Sequence, residues 1–200
     1  MSLENIKSGK LLYHLTELKN LESIIKNELL PRKQMIEDKL YFIDIADNRI
    51  IDKRTVLGLD HFTPFHFHPY SAFDKAVKCR HNEKEFIYLC IKREVAKLND
   101  FKIITSHPMN FNVENLIMYD YVQGFENINW EAMATYGNET ECIKHAKMAE
   151  CLTEKSIPIE AFQCIYVKSE EVKKYILKIF ENYKIQKNPP YINVMPNWFN

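Results

Sequence analysis

Apolar positions along this chain follow two periods, alternation over short runs and recurrence every three or four residues over longer ones, which separates strands from helices. LLYHL at 11–15 reads as a short strand. The next segment, NLESIIKNELL at 20–30, places Leu21, Ile24, Ile25 and Leu29 on one helical face, with Asn20 as cap and Pro31 as stop. FTPFHFH at 62–68 alternates as a strand, and Pro64, which has no amide hydrogen for a ladder, predicts an edge or bulge at its start. SAFDKAVKC follows as a short helix, FIYLCIK at 86–92 as a central strand, FKIIT at 101–105 as another, and FQCIYV at 162–167 as the last. SEEVKKYILKIFENY is the clearest helix: Ser169 caps it, acids open it, and Val172, Tyr175, Ile176, Ile179, Phe180 and Tyr183 mark one apolar face.

Three stretches lack a clean period. From Arg32 to Leu59 polar and apolar residues mix and basic residues recur, which reads as a long functional loop carrying short helices. Residues 106–137 read as irregular and acidic, with Trp130 and Tyr136 as packing anchors. The Pro-rich tail at 184–200 still carries Tyr191, Ile192, Val194, Trp198 and Phe199, so it is expected to pack on the body or on a partner. The pattern as a whole is a strand-rich α+β fold with one domain at 1–183 and a packing tail at 184–200.

Composition narrows the class. Two hundred residues with 46% apolar and 12% aromatic content suit one domain with a sizeable core. No apolar run is long enough for a membrane span, and MSLENIKSGK lacks the features of a signal peptide, so the expected location is the cytoplasm. Five cysteines without a CxxC pair read as reduced thiols. Basic and acidic residues both number 27, so no global field draws the chain onto nucleic acid. The charge is uneven, however: residues 31–102 hold 14 basic and 11 acidic residues, a net of +3, and residues 103–150 hold 2 and 7, a net of −5. A polyanion is therefore met by the first segment, or by the small cluster of Lys144, His145 and Lys147. Tight, sequence-blind binding to duplex DNA is not expected, because that mode needs many phosphate contacts.

Three groups of residues can carry chemistry. In KHAKMAECLTEKSIP, Glu150 interrupts the apolar run Met148, Ala149, Cys151 and Leu152. As a strand, this run puts Met148, Glu150 and Leu152 on one face, so a carboxylate shares a wall that should be buried or line a cleft; as the end of a polar helix from about Asn138, its head lies in water. His61, His66 and His68 have spacing compatible with a metal site, and equally with the polar face of an edge strand. Tyr13-His14 and Thr16 end a strand before a helix, where a histidine can bond a ligand hydroxyl or phosphate, or simply a backbone carbonyl in the core.

Taken together, LYHLTELKNLESIIKNELL, IIDKRTVLGLDHFTPFHFHPYSAF and KMAECLTEKSIPIEAFQCIYV resemble the DarT family, bacterial toxins that ADP-ribosylate bases of single-stranded DNA using NAD. The family pattern is similar to LYHxTxxxNL, then an arginine before a DYVPFYFxPRSPM-like strand, then AEFLV before a proline and an aliphatic strand. Order and approximate spacing are kept over roughly residues 10–170. The resemblance implies an ADP-ribosyltransferase fold, a split and bent β-core gripping NAD as co-substrate, with no metal. It implies that His14 and Thr16 bond the adenosine-side ribose, that Asn20 supports this end, that Arg54 closes over NAD and assists the acceptor base, and that Glu150 is the catalytic carboxylate. It also implies single-stranded nucleic acid as acceptor, DNA before RNA, and a macrodomain antitoxin as partner. Where the family has PRSPM this chain has Pro69-Tyr70-Ser71-Ala72-Phe73, so an arginine is replaced by Tyr70. That leaves the acceptor open among DNA, RNA and protein groups, as well as an inactive NAD-binding relative. Tyr70, His66 and Tyr136 are candidates to stack an unpaired base, and His145 and Lys147 to meet the strand.

Overall fold

A computed structural model describes residues 6–69, 71–135 and 140–199. The strands are β1 (Leu11–Glu17), β2 (Thr63–His66), β3 (Phe86–Lys92), β4 (Lys102–Ile104), β5 (Tyr119–Asp120), β6 (Glu150–Thr153), β7 (Cys164–Val167) and β8 (Tyr191–Val194). The helices are α1 (Leu21–Asn27), α2 (Arg32–Glu37), α3 (Asn48–Val56), α4 (Ala72–Arg80), α5 (Arg93–Leu98), α6 (Tyr121–Asn127), α7 (Trp130–Ala134), α8 (Glu141–Ala146) and α9 (Glu170–Asn182). The strands form one sheet in the order β5-β4-β6-β2-β1-β3-β7-β8, antiparallel except for β7 and β8.

The sheet is nearly split in the middle. β1 pairs with β3 from Leu11↔Lys92 to Glu17↔Phe86, yet it meets β2 only at Tyr13↔His66. Pro64 supplies the reason. It has no amide hydrogen to donate, and its carbonyl accepts a bond from the His14 imidazole rather than from the β1 backbone. Of the two expectations for Pro64, an edge or a bulge, the edge is corrected: β2 lies between β1 and β6, and the proline opens a seam inside the sheet.

Alternation sends the two faces of the sheet into separate cores. Leu12 on β1 and Ile87, Leu89 and Ile91 on β3 pack with Leu21 and Ile24 of α1 and with Val172, Ile176, Ile179 and Phe180 of α9. Leu15, Tyr88 and Cys90 face the other way, against Val77 of α4 and Trp198. Ser169 accepts from the Val172 amide as the cap of α9, whereas Tyr175, read as part of its apolar face, is 51% exposed. The tail supplies β8, parallel to β7, and the buried Trp198.

Several boundaries differ from the periodic reading. α1 ends at Asn27, where Glu28 turns to φ 66, and Leu29 is buried through a bridge to Ile157 rather than by a longer helix. Asn20 makes no capping bond, because its amide is used elsewhere. The stretch 106–137 is more regular than expected: α6 and α7 are short helices whose apolar positions are too few to show a period, and Trp130 anchors them against Phe67 and Phe125. Tyr136 lies outside the described residues.

α6 sits directly on β4 because Gly124 has no side chain: a Cβ there would stand 2.4 Å from Cβ of Ile103. Gly124→Ala is expected to destabilise the fold by about 1–3 kcal/mol through overpacking. Chemical denaturation with an unchanged midpoint would contradict this packing.

Candidate active site

The seam between β1 and β2 opens into a cleft of about 170 Å³, walled by β1, β2, α3 and the irregular segment 42–46. Glu150 is the first residue of β6, in register with His66 on β2 and Ile104 on β4. The strand reading of that segment therefore holds, and the helix before it, α8, stops at Ala146. Leu152, two residues on and so on the same face, packs with Leu57, Leu59 and Ile104, which places Glu150 at the end of an apolar layer where it enters the cleft.

Arg54 meets it from α3. Nη1 donates to Glu150 Oε2 at 2.6 Å, and Nη2 donates to the carbonyls of Leu59 and Phe62 at 3.1 and 3.4 Å. Both side chains are largely buried, at 11% and 6% exposure, so the pair holds its geometry without competition from bulk water. Local sequence prepares this placement: Asp47 caps α3, and Gly58 at φ 69 turns the chain so that the Leu59 carbonyl faces the guanidinium. Only one glutamate oxygen is engaged, and Oε1 has no hydrogen-bond partner among the described residues.

His14 and Thr16 lie two apart on β1 and share its cleft-facing side. The Pro64 carbonyl accepts the Nδ1 proton of His14 at 2.8 Å, so Nε2 is left as an acceptor. Burial pushes the His14 pKa down to about 4, the Pro64 bond offsetting this only in part, and the ring is neutral at pH 7. The Asn20 amide donates to Thr16 Oγ1 at 3.0 Å and to the Ile43 carbonyl at 2.9 Å, and its own oxygen accepts from the Ile43 amide at 2.8 Å. Asn20 thus clamps the segment 42–46 over the cleft, assisted by the 2.7 Å Arg32–Asp44 ion pair.

His66 lines the cleft, but its ring is already stacked on Phe73 at 5.9 Å and 28°. His66 Nδ1 and Thr63 Oγ1 are buried, line the cleft and have no partner among the described residues, which suits a polar ligand. His61 lies apart and bonds Lys33, and His68 bonds the Lys147 carbonyl, its pKa held down to about 3 by burial. Among the described residues no group of three His, Cys, Asp or Glu side chains is placed to hold a metal ion.

His145 and Lys147 are not brought into the cleft. Lys147 Nζ donates to the Thr135 carbonyl, and His145 stacks on His107 at 5.6 Å. His107 itself does line the cleft, with a pKa lowered to about 4 by burial although the Glu150 charge pulls it up. Nothing in the periodicity of SHPMN marks this residue. Phe73, also missed, ends the PYSAF block and was findable there. Tyr70 lies outside the described residues.

A sequence profile described as "ssDNA thymidine ADP-ribosyltransferase, DarT" matches residues 13–200. The chain belongs to the DarT family. Similar solved structures include Thermus sp. 2.9 DarT in complex with ADP-ribosylated ssDNA, at TM-score 0.81 and 20% identity, covering 96% of this chain and 97% of that one. The same Thermus DarT in complex with NAD+ gives TM-score 0.73 at 20% identity, covering 96% and 98%. Thermosipho africanus DarTG in complex with ADP-ribose gives 0.70 at 20% identity, covering 95% of this chain and 51% of that one. A search of curated proteins found no match. At such identities the structures show the DarT fold, and the family assignment rests on the profile.

Two expectations follow. Asn20→Ala removes the clamp on residues 42–46 and should raise the KM for NAD by about tenfold, roughly the worth of one or two buried hydrogen bonds, with a smaller effect on kcat; an unchanged KM would detach Asn20 from the site. The second concerns acid. The folded-state pKa values of His14, His68 and His107 are lowered, so the unfolded chain takes protons first as pH falls below about 6.5. The stability from these neutral rings is complete above that pH and is lost toward pH 4. Melting temperature should therefore fall between pH 6.5 and 4.5, above the main carboxylate range, and a flat profile there would contradict the buried neutral rings.

Proposed function

We propose that this chain transfers ADP-ribose from NAD to thymidine in single-stranded DNA and releases nicotinamide, with Glu150 as the catalytic carboxylate. The observation that carries the assignment is the buried Arg54–Glu150 pair at the cleft, which fixes the carboxylate through Oε2 and leaves Oε1 for substrate. The family membership supplies the reaction class.

The chemistry calls for one such carboxylate. In NAD the bond from the ribose C1′ to nicotinamide breaks with its electron pair going to the departing, already cationic ring. The sugar then carries oxocarbenium-like charge. Glu150 Oε1 accepts a hydrogen bond from the ribose 2′-hydroxyl, orienting the sugar and stabilising that charge in a site poor in water. His14, through Nε2, and the Thr16 hydroxyl bond the other ribose, and the Asn20 clamp holds the covering segment in place. A lone pair of the thymine captures C1′, and the proton it loses passes toward the Glu150 carboxylate, with Arg54 beside it. His66 and Phe73 present an aromatic wall next to this point. In this reading the protein acts in the cytoplasm as the toxin of a pair whose macrodomain antitoxin removes the modification.

Glu150→Gln keeps the side chain's size and removes its charge. It should lower transfer by at least about 10²–10³-fold, with NAD binding retained and a folded protein by circular dichroism. The measurement is the mass gain of one ADP-ribose on single-stranded DNA and RNA oligonucleotides, alongside nicotinamide release. Full activity in Glu150→Gln would remove Glu150 from catalysis, and mass gain on RNA alone would change the acceptor.

A further inference from the structure

A second cleft, of about 410 Å³, opens at the far end of α4 from the NAD site. Lys75, Lys78, Lys84 and Lys168 line it around Phe86 and Phe199, and Glu85 is the one acid among the lining residues. Lys84 stands 3.8 Å from the buried Glu17 carboxylate, and His81 lies 3.8 Å from Glu83. Lys78 is fixed in place: its ammonium bonds the Trp198 carbonyl and the Tyr88 hydroxyl and lies over the rings of Tyr88 and Phe199. Lys75 and Lys168 are exposed and enter no ion pair among the described residues. The result is an oriented positive cleft with a half-buried aromatic, Phe199, on its floor. Cations tracking a backbone beside an aromatic platform are what a single strand of nucleic acid requires.

Its position relative to the NAD cleft adds the second argument. Phe73, in the first turn of α4, lines the NAD cleft, and Lys78 lies five residues further along the same helix. At about 1.5 Å per residue that is roughly 7.5 Å of axial travel, with Lys78 on a different side of α4 from Phe73, so a strand engaging both clefts passes around α4.

We propose that this cleft holds the phosphate backbone of the single strand beyond the nucleotide being modified. The proposal rests on the reading of the chain as a transferase acting on single-stranded DNA. It assigns the chain a binding register longer than one nucleotide and places the electrostatic part of strand affinity away from the reacting base.

The test is Lys75→Glu combined with Lys168→Glu, two exposed positions whose change leaves the folded core intact, which thermal melting verifies. The probe is a fluorescent thymidine-containing single strand of about 20 nucleotides, with a tetranucleotide as the short control. Anisotropy titrations should show Kd for the long strand weakened by about tenfold or more, and a log Kd against log salt slope shallower by about 1.4, two contacts at about 0.7 each. Transfer to the tetranucleotide should be unchanged. Equal Kd and equal salt slope in the two proteins would overturn the cleft's role. Wild-type protein that binds the long strand in this way yet modifies no oligonucleotide would instead overturn the proposed reaction, leaving the cleft in place.

Discussion

A guanidinium and a carboxylate held 2.6 Å apart in a mostly buried setting organise this molecule. Ion pairs in such places lose much of their Coulomb attraction to desolvation, so Arg54–Glu150 is poorly explained as a device for stability. Its surroundings are built to keep it. The Gly58 turn delivers the Leu59 carbonyl to the arginine, and Leu57, Leu59, Ile104 and Leu152 pack as a small apolar layer beside it. α3 is thereby tied to β6 across the cleft wall, and the tie is the same carboxylate proposed for catalysis.

The seam in the sheet solves a related problem. A continuous ladder between β1 and β2 would leave no space for a dinucleotide, and a complete break would leave buried backbone groups without partners. Pro64 removes one donor from the ladder, and the His14 imidazole satisfies the Pro64 carbonyl that remains. One bond thus holds the seam open and fixes the histidine tautomer, while burial keeps the ring neutral. Asn20 uses the same economy of groups, with one amide reading both backbone atoms of Ile43 and the hydroxyl of Thr16.

Around this shared frame the acceptor side has its own character. Where the family pattern carries an aromatic and an arginine, this chain has His66 stacked on Phe73, and Tyr70. The block at 69–73 thus carries no arginine here, and lysines, among them Lys75 and Lys78 of α4, gather in the second cleft. In the proposed reading such a division suits a chain with no net charge: the strand is attracted where phosphates lie, and the base meets flat rings.

How much was legible beforehand depended on the range of the interaction concerned. β1, β3, β7 and α9 were readable because their periods and the Ser169 cap are local, and the three motif blocks named His14, Thr16, Arg54 and Glu150 in advance. That Glu150 belongs to a strand rather than a helix end was undecidable from its neighbours, since the deciding bonds run to β2 and β4. Pro64 was read as an edge or a bulge and could not be placed inside the sheet, because the residue that bonds its carbonyl is fifty positions away. Asn20 stands at the cap position as read, but its side chain makes no capping bond for the same reason, its partner being Ile43. His107 gave no signal at all, as its place beside Glu150 comes from a connection between β4 and β5 that has no period. By itself the sequence determined the strands and helices with a clear local period and which residue types are available for the chemistry. Only the tertiary structure decided which polar atoms are engaged and which are left free for a ligand, because hydrogen bonds and burial are made between segments distant along the chain.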